Sequence, residues 1–185
     1  MADTDTSNGL IYGLAEIKFK SSAASSQEKT IGWIDENGLQ PAGSEPQFLE
    51  IFAAQVLDGA VESIMQNPGS DAFNLNLIQL KAQNMVDIFG GTAEADGSYT
   101  PPASFMATGV LTIKSHSGHS FRIFNARLTK TTFQNGMNMQ NVLGFGIRVD
   151  MLKPADGKER RFRIYPPGVT PDTADGTADE TSGGG

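Results

Sequence analysis

Between Ala72 and Gly91 the hydrophobic period of the chain changes without a break, and that change limits the folds open to it. Phe73, Leu75 and Leu77 alternate with Asn74 and Asn76, the two-residue period of a half-buried strand. From Ile78 the apolar residues fall at Ile78, Ala82, Met85, Val86 and Phe89, which is helical spacing, while Lys81, Gln83, Asn84 and Asp87 face away. Gly90-Gly91 supplies the left-handed backbone that ends a helix. The pattern predicts one helix over about residues 79–89. Set in sequence that otherwise reads as strand, it points to a mainly β domain with one flanking helix over an open face or edge.

The other strands follow from the same reasoning. Ala15, Ile17 and Phe19 oppose Glu16, Lys18 and Lys20, and a second strand is expected over Thr30–Asp35 around Ile31, Trp33 and Ile34. Asn37-Gly38 reads as a tight hairpin turn. Gln47–Ala53 is extended, whereas Gln55–Ile64 has a spacing that does not decide between strand and helix. Phe105–Lys114 and Ser120–Thr129 flank a short polar link, His116-Ser117-Gly118-His119, and so should pair antiparallel. Val142–Met151 alternates Leu143, Phe145, Ile147, Val149 and Met151 against Gly144, Gly146, Arg148 and Asp150, and Arg161–Tyr165 reads as a short edge strand. Glycines at 144 and 146 leave one strand face bare, which suits either a curving barrel wall or a bulge. Leu39–Pro46, Asn67–Ser70 and Thr92–Ser104 read as loops.

With 185 residues the chain has room for one cored domain, expected over 10–165. The polar leader 1–9 and the Gly/Pro/Thr-rich tail 166–185 have too little apolar surface to build a core, and both are expected to be flexible. Formal charge is -7, but Asp3, Asp5, Asp172, Asp175, Asp179 and Glu180 lie in those ends, so the body is close to neutral. That leaves no chain-wide basic footprint for nucleic acid. A local cluster, Lys158, Arg160, Arg161 and Arg163, reads as a solvated strand end or a salt-bridge patch between subunits. Cysteine is absent, which removes disulfides and thiolate chemistry together. Neither a membrane-length apolar run nor a signal-peptide pattern is present, so a soluble protein made in the cytoplasm is expected.

Motifs for catalysis are missing. His116 and His119 are better read as turn residues than as metal ligands or a general base. Asp35, Glu36, Glu45 and Glu50 stand beside turns, where acids are solvated. Trp33, Phe48, Phe52, Phe73 and Phe121 lie in strand-like stretches and are assigned to the core rather than to base stacking. No nucleophile elbow, phosphate loop or dinucleotide fingerprint occurs. No catalytic residue, cofactor or metal is expected, and the chain does not read as an enzyme.

Four stretches carry a likeness to a known family: Ala15-Glu16-Ile17-Lys18-Phe19, Gly32 to Leu39, Phe73-Asn74-Leu75-Asn76-Leu77 running to Phe89, and His116 to Phe121. Together with the strand order, which spans 10–165, they resemble the major tail tube proteins of long-tailed phages. The resemblance implies a two-sheet β-sandwich or barrel-like domain with one helix. It implies a homo-oligomer of six-fold rings, whose sheets join around a lumen, stacked into the hollow tube that conducts genomic DNA during ejection. Tape-measure, tail-terminator and baseplate or tip proteins would be its partners in the virion. Open sheet edges should then pair with neighbouring copies, and Leu39–Pro46, Thr92–Ser104 and the tail should make stacking or outer contacts. The polar side of Val142–Met151 or Ser120–Thr129 is expected to line the lumen. The inner tube of a bacterial contractile injection or secretion system is similar in fold. A β-barrel module for a small ligand or saccharide is the alternative from another class, with Trp33 and Tyr99 as its aromatic residues.

Overall fold

A computed structural model of the chain describes residues 9–22, 27–56, 58–154 and 160–171. The leader up to residue 8, Lys158 and the tail from residue 172 therefore lie outside the described residues. The elements, in order, are β1 (Leu14–Ser21), β2 (Lys29–Thr30), β3 (Gln40–Pro41), β4 (Gln47–Ile51), β5 (Glu62–Asn67), β6 (Ala72–Leu77), α1 (Ala82–Phe89), β7 (Thr92–Ala93), β8 (Tyr99–Thr100), β9 (Met106–Ser115), β10 (Ser120–Gln134), β11 (Gly144–Met151) and β12 (Phe162–Tyr165). Among the described residues these elements are mainly β, with α1 as the helix that the periodicity predicts.

Eight strands form one antiparallel sheet in the order β2-β1-β9-β10-β11-β6-β3, with β12 also on β10. The alternating residues put their apolar members on one side. Ile17 and Phe19, Leu111 and Ile113, Ile123, Ala126 and Leu128, Phe145, Ile147 and Val149, and Leu75 and Leu77 form a single buried cluster. Each such side chain taken fully out of water contributes about 1.5–3 kcal/mol. The β9–β10 hairpin turns at Ser115–His119, where the polar link predicts it. Strand β10 changes partner along its length: Ser120–Ile123 pairs β12, and Ala126–Gln134 pairs β11. The ladder to β9 bulges between Ile123 and Ala126, and there Phe124 N–H donates to Arg161 while Asn125 accepts from Leu152.

Residues 29–35 close the sheet on itself. On one side of Gly32 they pair with β1, through Lys18–Thr30, Phe19–Lys29 and Ile31 N–H to Ile17 O at 2.9 Å. On the other side they pair with β6, through Asp35 N–H to Asn76 O at 3.0 Å and Ile78 N–H to Trp33 O at 2.9 Å. The chain thus leaves one end of the sheet and joins the other at a glycine with φ of 124°. Of the sandwich and barrel-like arrangements, the main sheet takes the barrel-like one. Two expectations change in consequence. The stretch Thr30–Asp35 is two half-strands and not one, and the Asp35–Gly38 turn is an excursion along one edge of β6 rather than a hairpin.

Helix α1 seals one end of the barrel. Met85, Ile88 and Phe89 enter the core, Asp87 holds Lys29 at 2.5 Å, and Gly90 and Gly91 both take positive φ where the helix stops. The buried stripe therefore includes Ile88, which the sequence reading omitted, while Ile78 precedes the helix. Phe89, Phe105, Phe145 and Phe133 continue the seal as a chain of edge-to-face contacts. Lys130 lays its ammonium 4.4 Å from the Phe133 ring centre and 5.0 Å from that of Phe145. The small β7–β8 hairpin, inside the expected 92–104 loop, is tied to this end by Tyr99 OH donating to Gly90 O at 2.9 Å. Beyond β12, residues 166–171 fold back so that Pro167 faces Gly118.

A side chain at Gly32 would meet Asn84, Gln79 and Leu77 at 3.1–3.3 Å as well as a backbone angle unsuited to it. Gly32→Ala is therefore expected to lower unfolding free energy by about 2–3 kcal/mol. The control Gly97→Ala, also at positive φ but in open space, should cost only about 1 kcal/mol. Urea denaturation of the two variants measures the difference.

Candidate assembly surfaces

The β3–β6 ladder does not stop at the barrel. It runs on through Ala42 N–H to Ala72 O and the reciprocal Ser44–Ser70 pair, then into β4 and β5, so that one long hairpin has its root in the barrel wall and its upper half in solvent. Around Gly43 and Gly69 the two backbones come too close for any Cβ, which explains glycine at both positions. Every residue of β4 and β5 is exposed, and among the described residues no other strand pairs with either of them.

This arm is apolar on both faces. Phe48 stands opposite Met65, and the next pair along, Leu49 opposite Ile64, points to the other face. Phe52, Val56 and Val61 add to it, with Phe52 65% exposed. A hairpin with one apolar face needs one covering layer. An arm with two needs a layer on each side, and two strands alone are marginal in water.

A second apolar projection is the tip of the β10–β11 hairpin. Phe133, Met137, Met139 and Val142 are exposed there, Met137 by 80%. The register sets the two projections at opposite ends. Phe145 pairs with Leu77 beside the tip, whereas Asp150 pairs with Ala72, where β6 leads to the arm. Unbranched methionine side chains adapt to irregular partners.

Between these ends, the outer face of β6, β11 and β10 is polar. Asn76 and Thr131 fold over Gly144 and Gly146, whose missing side chains give them room, and this is why both glycines are buried on a strand's outer side. Asp150 accepts hydrogen bonds from Arg127 at 2.9 Å and Arg148 at 2.8 Å. Partial burial works against its charge, but the two guanidinium donors outweigh that and hold the carboxyl below its usual range. On this face two arginines thus share one carboxylate, which offsets one of their two positive charges.

The structure places the sequence candidates as follows. His119 is buried in a turn network, with Ser117 Oγ 3.0 Å from its Nδ1, while His116 is exposed. Among the described residues no three His, Asp or Glu side chains cluster as a metal site would require. Asp35 accepts from Asn76 and Asn37, Glu36 is exposed beside it, and Glu45 and Glu50 stand at the arm. Arg160 stacks on Phe124, Arg163 on Tyr165, and Arg161 lies 3.8 Å from Asp71. Phe73 and Phe121 pack edge to face, half-buried, but Trp33, Phe48 and Phe52 are not core residues: Trp33 is 71% exposed. Their strands have no layer above them. The sequence did carry a signal for the arm, in the adjacent pairs Phe48-Leu49 and Ile64-Met65, which break a one-faced alternation.

Comparison with protein-family models finds no match. Comparison with curated proteins finds none either.

Asp150 has a folded-state pKa below its unfolded value of about 3.9. Its stabilisation is therefore present above that unfolded value and is lost as pH falls through the folded one. Asp150→Asn is expected to flatten the stability profile below about pH 4 and to cost about 1–2 kcal/mol near neutrality. Thermal unfolding across pH reads both.

Proposed function

We propose that this protein is a structural subunit that assembles into stacked rings, forming a hollow tube of the phage-tail type that conducts DNA. It is not a catalyst in this reading. The observation that carries it is the β4–β5 arm, a two-stranded sheet with apolar residues on both faces, open edges and no covering layer among the described residues. Such an element is a liability in a monomer and a joint in a polymer. The apolar tip at the opposite end of the barrel supports the same reading, because an arm at one end and an acceptor at the other make a head-to-tail contact that repeats. The main sheet, being closed by residues 29–35, supplies a rigid wall unit, and backbone pairing between copies falls to the arm. The polar outer face, with its arginines held by Asp150, suits a lumen that does not grip phosphates. An inner tube of a contractile injection system has the same requirements and belongs to the same structural class.

Electron microscopy of concentrated wild-type protein is expected to show rings or tubes. Phe48→Glu combined with Ile64→Glu should leave thermal stability within about 1 kcal/mol, since neither side chain is in the core. It should also leave only monomers in sedimentation velocity. Persistent wild-type monomers at millimolar concentration, or unaltered assembly of the double variant, would overturn the proposal.

A further inference from the structure

The barrel has one unsealed seam. Above Ile31 the stretch 29–35 is bonded to β1, but at Gly32 it swings across to β6, and no backbone hydrogen bond joins 33–36 to Leu14, Ala15 or Glu16. A cleft of about 340 Å³ opens between the two, walled by Leu14, Ala15 and Glu16 on one side and by Trp33, Ile34 and Glu36 on the other.

The cleft presents backbone groups and negative charge together. Trp33 O and Asp35 N–H are both spent on β6, so by strand alternation the N–H and C=O of Ile34 turn the opposite way, toward the seam. Ile34 keeps its side chain against the core, which leaves Trp33 outside, 71% exposed at the mouth. The charged residues at this mouth are Glu16, Asp35 and Glu36. Lys18, the basic neighbour, is engaged with Glu16 at 3.4 Å. An acidic slot with free strand-pairing groups and an indole at its rim is suited to an extended chain bearing cations, one of which can stack on the ring.

We propose that this seam is a docking slot for an extended basic segment of a second protein, which adds as a strand between β1 and residues 33–36. The chain's own ends do not match it in charge, since residues 1–8 carry Asp3 and Asp5 and the tail from 172 carries only acids. The basic stretch 160–163 does not match it either. Arg161 is committed to Asp71, Arg160 to Phe124 and Arg163 to Tyr165, and β12 is laddered to β10. The partner is therefore a different polypeptide, recognised by its backbone and its Lys or Arg residues. The arm shares no residue with this surface, so the arm variant below tests docking apart from assembly through the arm.

Trp33 is the single tryptophan of the chain, and its fluorescence reports the slot directly. The probe is the peptide acetyl-Arg-Val-Arg-Val-Arg-amide, titrated into wild-type protein and into the Phe48→Glu/Ile64→Glu variant, which separates docking from self-assembly. A saturable change in Trp33 emission is expected in both. Methylating the peptide's central amide nitrogens should weaken binding about tenfold, the cost of lost backbone pairing. Glu36→Lys should weaken it about threefold at low salt, an effect that high salt removes. No saturable change in either protein, or equal binding by the N-methylated peptide, would overturn the slot and leave the tube proposal untouched.

Discussion

Two groups of backbone hydrogen bonds, made by one short stretch on either side of Gly32, hold the two ends of the main sheet together. Everything else is arranged around that closure. An open antiparallel sheet of this length would expose a row of N–H and C=O groups along β1 and another along β6. Residues 29–31 satisfy the first and residues 33–35 the second. The apolar faces of five long strands then converge on one interior, which Leu77, Leu111, Leu128 and Val149 fill completely. The remaining opening is covered by α1 and the phenylalanines beside it.

Because the barrel is closed on itself apart from the seam beside Leu14–Glu16, what it leaves incomplete has meaning. The long hairpin of which β3 and β6 are the root runs beyond the barrel and becomes an arm with no interior of its own. Closed body and unfinished arm divide the work. In the proposed assembly the body folds without a partner, so that a monomer can accumulate, and the arm gains its covering layers from other copies. The resemblance to tail tube proteins led to the expectation that the main sheet's edges would pair with neighbours. With the main sheet closed by residues 29–35, the proposed assembly gives that role to β4 and β5.

The elements with a clean two-residue period were legible in the sequence, since alternation alone decides which side of β1, β6, β10 or β11 is buried. The β9–β10 hairpin was legible from its polar link, and the helix from its stripe and the glycines after it. Closure was not. It depends on which edge Ile31 and Ile34 meet, a tertiary fact that no local pattern encodes, and Gly32 looks like an ordinary strand glycine until both edges are known. Trp33, Phe48 and Phe52 were misplaced for a related reason. Strand-like apolar residues are core residues only when another layer of the same chain covers them, and here none does. Gly144 and Gly146, read from the sequence as a curving wall or a bulge, instead make room for the side chains of Asn76 and Thr131.

The central claim, a self-sufficient barrel carrying an arm that only other copies can complete, is tested most directly by amide hydrogen exchange on dissociated and on assembled protein. The account predicts slow exchange through β1, β6, β9, β10 and β11 in both states, with 47–51 and 62–67 exchanging fast when dissociated and slowly when assembled. Protection of the arm already in the dissociated protein, or its continued fast exchange in the assembly, would contradict it.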